Sequence, residues 1–300
     1  MKKTNIALST INFLILSVLL ISFSSNSEED YDTRQESLYH VAPCKIPSVL
    51  NFANEAVPMN DIDVKERFDK EILINTYWHS ATLLNIKKAN RYFPIIEPIL
   101  KAEGIPDDFK YLAVIESGLD PNIKSPSGAL GLWQIMKTTG KELGLEINSE
   151  VDERKNIEKS THAACKYLLK AYDKFGSWSL VASSYNAGIS RINKLLSAQH
   201  VDSYYDLYLN SETSRYIFRI LALKEVLNNP TKYGFKYSKR DLYTGYDFKT
   251  VEVNSKIEDL PQWAKEKGTT YKMLKLLNPW LIKPYLTNPN GKKYQIKIPS

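Results

Sequence analysis

Apolar residues recur at three- and four-residue spacing along most of the chain, which predicts a succession of helices. The first begins at Asp61, with Val64, Phe68, Ile72, Leu73, Thr76 and Tyr77 near helical register. Tyr92-Phe93-Pro94 reads as an interruption, after which Ile95, Ile96, Ile99 and Leu100 form a further helix ending at Gly104. A short helix from Pro106 to Gly118 follows, then helices over 156–175, 178–187, 191–196 and 213–227, the last ended by Asn228-Asn229-Pro230. Beyond Tyr246 the period changes: Val251 and Val253 alternate with Glu252, and Tyr294, Ile296 and Ile298 with Gln295 and Lys297, so both read as strands. Between them, residues 260–267 and 271–277 read as two short helices divided by Gly268. The expected fold class is mainly α, with a helical domain over residues 61–230, a linker over 231–247 and a small α+β module of order βααβ over 248–300. Residues 28–60 are polar, with Pro43, Pro47 and Pro58 and no sustained period, and read as a linker or a wrapping arm.

Within this pattern a few polar residues sit where apolar ones are expected. Pro106 with Asp107 and Asp108 marks a helix start. Phe109, Leu112, Ala113 and Glu116 then fall at i, i+3, i+4 and i+7, so a carboxylate continues the apolar stripe. Gly118 and Pro121 place Glu116 in the last turn, where the helix dipole disfavours negative charge. Burial and dipole both act to raise its pKa. Such a glutamate is either a functional acid or half of an ion pair with a distant Arg or Lys. Asp120, the nearest second acid in sequence, precedes Pro121 and reads as a turn residue. Gly128 and Gly131 let the backbone pass close to a neighbouring helix or to a ligand. Gln134 either satisfies local backbone groups or offers its amide to a sugar hydroxyl or N-acetyl group. Asn186, beside Tyr185 near a helix end, is a third polar insertion.

With 43% hydrophobic and 25% charged residues over 300 positions, the chain is globular and long enough for one large domain plus a small module. The net charge of +6 is scattered among acids, with no basic block, so nucleic acid is not an expected partner. Lys2 and Lys3 precede an apolar run from Ile11 to Phe23, then Ser24–Ser27 and Glu28-Glu29-Asp30. That is the layout of a signal peptide over residues 1–27, cleaved near Ser25–Ser27, and it implies export to the periplasm or cell envelope. Counting Ile6 to Leu8 into the run leaves an uncleaved membrane anchor as the alternative. No cysteine closely follows the run to accept a lipid. Cys44 and Cys165 either pair in an oxidising compartment or leave Cys165 as a buried thiol in its helix. His40, His79, His162 and His200 are scattered singly, so neither metal nor cofactor is expected.

Four segments in order carry a resemblance: Glu116-Ser117-Gly118-Leu119, the run from Gly128 to Met136, Ser184-Tyr185-Asn186-Ala187-Gly188, and Glu212-Thr213-Ser214-Arg215-Tyr216. Over roughly residues 90–230 the chain resembles the lytic transglycosylases with an SLT-type catalytic domain, in particular the membrane-bound murein transglycosylase D branch. The resemblance implies a lysozyme-like helical fold with a groove for peptidoglycan glycan strands. It also implies cleavage of the MurNAc–GlcNAc β-1,4 bond without water, leaving a 1,6-anhydro-MurNAc end. Glu116 matches the family's single acid/base and Ser125 a serine that holds the N-acetyl group. Gln134 and Met136 match groove residues, while Tyr185, Asn186 and Tyr216 match positions lining the site. Trp133 replaces a methionine common there, and Ser184 an alanine. Phe248 to Pro299 resembles a LysM module, with Asn254-Ser255-Lys256-Ile257 in place of the usual Gly-Asp-Thr-Leu opening. It either binds GlcNAc chains or merely packs on the catalytic domain.

The chemistry of a lone acid is coherent. Ordinary glycosidases use two carboxylates, but one suffices if the substrate supplies the nucleophile. Protonated Glu116 gives its proton to the glycosidic oxygen, the N-acetyl carbonyl stabilises the anomeric centre, and ionised Glu116 then deprotonates the C6 hydroxyl as it attacks C1. Tyr185 and Tyr216 either orient Glu116 by hydrogen bonds or are core tyrosines. A hydrolytic muramidase and a non-catalytic wall-binding protein are the competing expectations. The chain is read as a monomer.

Overall fold

The computed structural model describes residues 42–300; the signal-peptide or anchor reading and residues 28–41 of the arm lie outside the described residues. What is described of the arm ends in a hairpin, β1 (Asn51–Phe52) and β2 (Glu55–Ala56), turned through Ala53 and Asn54 at φ 51° and 67°. Two successive positive φ values fit a primed turn, which matches the twist of paired strands. Alanine pays strain there, and the Ala53 amide is held by Asp108 Oδ2 at 2.7 Å while Phe52 packs on Phe109.

The helices are α1 (Ile62–Tyr77), α2 (His79–Ala102), α3 (Lys110–Ser117), α4 (Lys137–Glu142), α5 (Ile157–Phe175), α6 (Trp178–Ala187), α7 (Ile189–Gln199) and α8 (Ser211–Asn228). The interruption expected at Pro94 is absent: α2 runs through both Pro94 and Pro98, and the break falls earlier, at Trp78. The two prolines lie four apart on the exposed side, so the carbonyls they leave without an amide partner reach water, while Ile96 and Leu100 stay buried on the other side. Helix α8 is the hub. It packs against α1, α3 and α6 and buries Tyr216, Ile217, Phe218, Ile220, Leu221 and Leu223. Each such side chain contributes about 1.5–3 kcal/mol when fully buried. Small residues Ser179, Ala182 and Ser183 on α6 allow the close approach.

The C-terminal module pairs β3 (Phe248–Val253) with β4 (Tyr294–Pro299), antiparallel from Phe248↔Pro299 to Val253↔Tyr294, with α9 (Leu260–Glu266) and α10 (Tyr271–Leu277) between them. The chain is therefore mainly α with a small βααβ unit. That unit packs on the segment before α5: Val151 bridges Leu281 and joins the module's own core, Asp152 N donates to Trp280 O at 2.9 Å, and Ile282 N donates to Glu150 O at 2.7 Å. The polar passage before β3 lies along α2, where Tyr243 N donates to Lys87 O and Arg91 Nε to Thr244 O.

Cys44 and Cys165 are both free, which excludes the pairing among the two alternatives. Cys44 Sγ donates to Thr76 Oγ1, and burial of Cys165 on α5 pushes its thiol up to about 12. Among the described residues no helix is long and apolar enough to cross a membrane.

Candidate active site

Glu116 sits in the last turn of α3. Gly118 closes that helix in the left-handed region at φ 56°, its N–H donating to Val114 O at 2.8 Å. The C-terminal end is tied down twice: Lys88 Nζ donates to Gly118 O, and Ser117 Oγ donates to Leu132 O at 2.9 Å. The Tyr216 hydroxyl, from the buried hub helix, donates to Glu116 Oε1. Burial pushes the Glu116 carboxyl above its ordinary range. The Tyr216 hydroxyl and the Arg219 charge act against that rise, and the Glu212 charge adds to it. Burial, and then the Glu116 charge, also hold Tyr216 well above its usual range, so it remains a donor.

Tyr185 lies close enough for the Glu116 charge to act on it, but its hydroxyl donates to Trp133 O at 2.7 Å. Of the two tyrosines expected to orient Glu116 by hydrogen bonds, Tyr216 makes the bond and Tyr185 supports the 128–136 segment instead. Asn186 joins the end of α6 to the start of α8. Its Nδ2 donates to Glu212 Oε1 at 3.1 Å, and its Oδ1 accepts from Thr213 Oγ1 at 2.8 Å.

The loop between α3 and α4 is built from its own backbone. Ser125 Oγ accepts from Ala129 N at 3.0 Å. Gln134, at φ 46°, donates through Nε2 to Gly131 O at 2.8 Å and Ile123 O at 3.1 Å, so its donor side serves local backbone. Met136, just before α4, is 41% exposed. Gly131 answers its own alternative: at φ 83° a Cβ there would lie 2.1 Å from Arg154 O, so its close approach is to protein backbone. Trp133 is fully buried, with Nε1 donating to Thr161 Oγ1, and is a core residue, not a groove contact. Asp120 accepts from Asn122 N in a local turn.

Two residues of this region, Arg154 and Arg219, escaped the sequence reading, and Glu212 was recognised there only as part of a motif and not as a second carboxylate. Buried Arg154 pairs with Asp152 and donates to Gly128 O and Ile135 O, fixing the loop from behind. Glu212 brings a second carboxylate near Glu116, and Arg219 donates to Ile115 O at 3.1 Å. Arg219 was legible in principle, since it follows Tyr216 by three on the same helix. Arg154 left no signal, because it pairs locally with Asp152 but reaches across more than fifteen residues to the loop. Among the described residues no group of three or more His, Cys, Asp or Glu side chains could hold a metal ion.

Comparison with known proteins then places this arrangement. Residues 93–206 match the family described as transglycosylase SLT domain. The chain carries a transglycosylase SLT domain. The matched residues include Glu116, Ser125, Gln134, Met136, Tyr185 and Asn186, while Tyr216 on α8 lies beyond them. Residues 249–300 match the soluble lytic transglycosylase C-terminal LysM-like domain. The chain is homologous to the membrane-bound lytic murein transglycosylase D of Escherichia coli K12, with 29% identity over 227 residues, 74% of this chain and 48% of that protein. It spans about half the length of that relative. The soluble lytic murein transglycosylase of the same organism is 28% identical over 166 residues, 49% of this chain and 26% of that protein. The crystal structure of the 70 kDa soluble lytic transglycosylase from Escherichia coli aligns with a TM-score of 0.39 at 25% identity, covering 49% of this chain and 27% of that one.

Proposed function

We propose that the chain is an exported peptidoglycan lytic transglycosylase that cleaves the MurNAc–GlcNAc β-1,4 bond with formation of 1,6-anhydro-MurNAc. Residues 61–230 are the catalytic unit, 231–247 the linker, and 248–300 the LysM-like module. The observation that carries this reading is the pairing of Glu116 with Tyr216. A carboxyl raised by burial is protonated when the glycosidic oxygen needs a proton. Once ionised, the same carboxylate keeps the tyrosine hydroxyl as a donor and is stabilised long enough to take the C6 proton. Ser125, Gln134, Met136, Tyr185 and Asn186 line the path of the strand around this acid, Gln134 through the amide oxygen that its local bonds leave unassigned. Peptidoglycan in the cell envelope is the substrate, and the chain acts as a monomer without metal or cofactor.

Glu212 favours a second reading, hydrolysis with two carboxylates. Its position argues against it: Glu212 lies in the first turn of α8 and its Oε1 is already engaged by Asn186 Nδ2, so it is held to a neighbouring helix instead of standing free to activate water. Mass spectrometry of digested sacculi tests the proposal. Wild type releases anhydro-muropeptides, and Glu116→Gln releases none while its fold is kept. Reducing MurNAc ends without anhydro products would establish hydrolysis, and sacculus binding with no release by wild type would establish a wall-binding role.

A further inference from the structure

Residues 146–158, which lead from α4 into α5, have two faces. One face is part of the C-terminal module. Val151 is 1% exposed and joins the module's core together with Trp280 and Leu281. Glu146 accepts from Lys292 Nζ and from the Tyr294 hydroxyl, and Glu150 accepts from Thr287 N at 2.8 Å. Glu158, in the first turn of α5, pairs with Lys297 on β4. Domains that share a chain move relative to each other by default unless their interface is large and apolar. Here main-chain bonds, a shared apolar core and ion pairs all cross one seam.

The other face holds the loop between α3 and α4. The Asp152 amide donates to Trp280 O in the module at 2.9 Å, and its carboxylate accepts from Arg154 twice, from Nε at 2.9 Å and from Nη2 at 2.7 Å. Nη1 of the same guanidinium donates to Gly128 O at 3.0 Å and to Ile135 O at 3.1 Å, at the two ends of the stretch that carries Gln134. Arg154 is 6% exposed, and its planar fork is held at every nitrogen, so a displacement of Asp152 carries the loop with it. The Arg154 carbonyl is also the atom that Gly131 packs against. Within the loop Gly128 N donates to Ser125 O and Ala129 N to Ser125 Oγ, while Leu132 O accepts from Ser117 Oγ, the neighbour of Glu116.

We propose that the C-terminal module is a brace of the active site: it fixes Asp152, Asp152 fixes Arg154, and Arg154, a positioning residue, sets the Ser125–Met136 loop against Glu116. This inference rests on Ser125, Gln134 and Met136 lining the path of the glycan. A module that only captured wall material would need a tether, and its seam with the helical domain would not bear on turnover. A brace bears on kcat, because a displaced loop misplaces the bound strand relative to the acid.

The test uses the whole chain and a soluble, peptide-bearing fragment of two GlcNAc–MurNAc repeats at saturating concentration. Lys292→Glu places like charges against Glu146 and Glu153 at a half-exposed point of the seam, far in sequence from the loop. It lowers kcat by about tenfold, inside the ~100-fold that a 1 Å misplacement costs, while KM and retention on sacculi stay near wild type. The amides of Ala129 and Ile135 exchange hydrogen faster in the same variant. Adding Glu146→Lys restores opposite charges and recovers both readouts. Val151→Ala loosens the seam from its other side without any change of charge and lowers kcat in the same direction. If kcat is unchanged in both Lys292→Glu and Val151→Ala, or falls while the loop amides exchange as in wild type, the brace inference fails and the transglycosylase reading stands. Lost retention on sacculi at unchanged kcat would make the module a wall anchor alone. If wild type cleaves neither the fragment nor sacculi, the transglycosylase reading itself fails.

Discussion

Replacing Tyr216 by phenylalanine isolates the contact on which the proposed mechanism turns. Tyr216 is 1% exposed, and phenylalanine fills the same space, so the change removes one hydroxyl and little packing. That hydroxyl donates to Glu116 Oε1, and a hydrogen bond to a charged group contributes about 1.5–3 kcal/mol. The depth of the site argues for the upper part of that range, since water cannot readily replace the lost donor. The bond favours the ionised carboxylate, so it holds the Glu116 pKa below the level that burial alone would set. Its loss raises that pKa further. Because the first step needs the protonated acid, the alkaline limb of kcat/KM against pH moves to higher pH in Tyr216→Phe. The assay is the release of anhydro-muropeptides across a pH series, with unfolding monitored in parallel. An alkaline limb that stays in place, or moves to lower pH, would refute the assignment of the limb to Glu116 or of the hydroxyl to its carboxylate.

Further outcomes follow from the same geometry. Glu212→Gln removes a charge that raises the Glu116 pKa, so its alkaline limb moves to lower pH, opposite to Tyr216→Phe, while the product remains the anhydro form; loss of turnover at every pH with the fold kept would make Glu212 a second catalytic carboxylate. Gly131→Ala forces a Cβ to 2.1 Å from Arg154 O at a left-handed φ, and urea unfolding reads a loss of more than about 2 kcal/mol. Asp152→Ala leaves buried Arg154 without its partner, and the same measurement reads about 3–5 kcal/mol.

The helical pattern was legible because α5 carries strong apolar periodicity and α6 and α8 are apolar around much of their circumference, with Asn156, Ser177 and Asn210 as side-chain caps and Gly176 and Gly188 as stops. The βααβ order of the module was legible for the same reason, since its strands alternate and Gly268 divides its helices. The hairpin at 51–56 was not, because two-residue strands are too short to show a period. Pro94 misled, since the sequence does not reveal that the carbonyls it leaves unpaired face water. Glu116 stood out as a carboxylate on an apolar stripe at a helix end. Its electrostatic setting did not, because Arg219 and Glu212 come from a helix about a hundred residues later. Gly131 announced a close approach but not its partner, which only the position of Arg154 defines.

Digestion of peptidoglycan in heavy-oxygen water tests the single-glutamate, water-free cleavage most directly. The account predicts 1,6-anhydro ends that carry no heavy oxygen, released by wild type and absent with Glu116→Gln. Heavy oxygen at a reducing MurNAc end would contradict it.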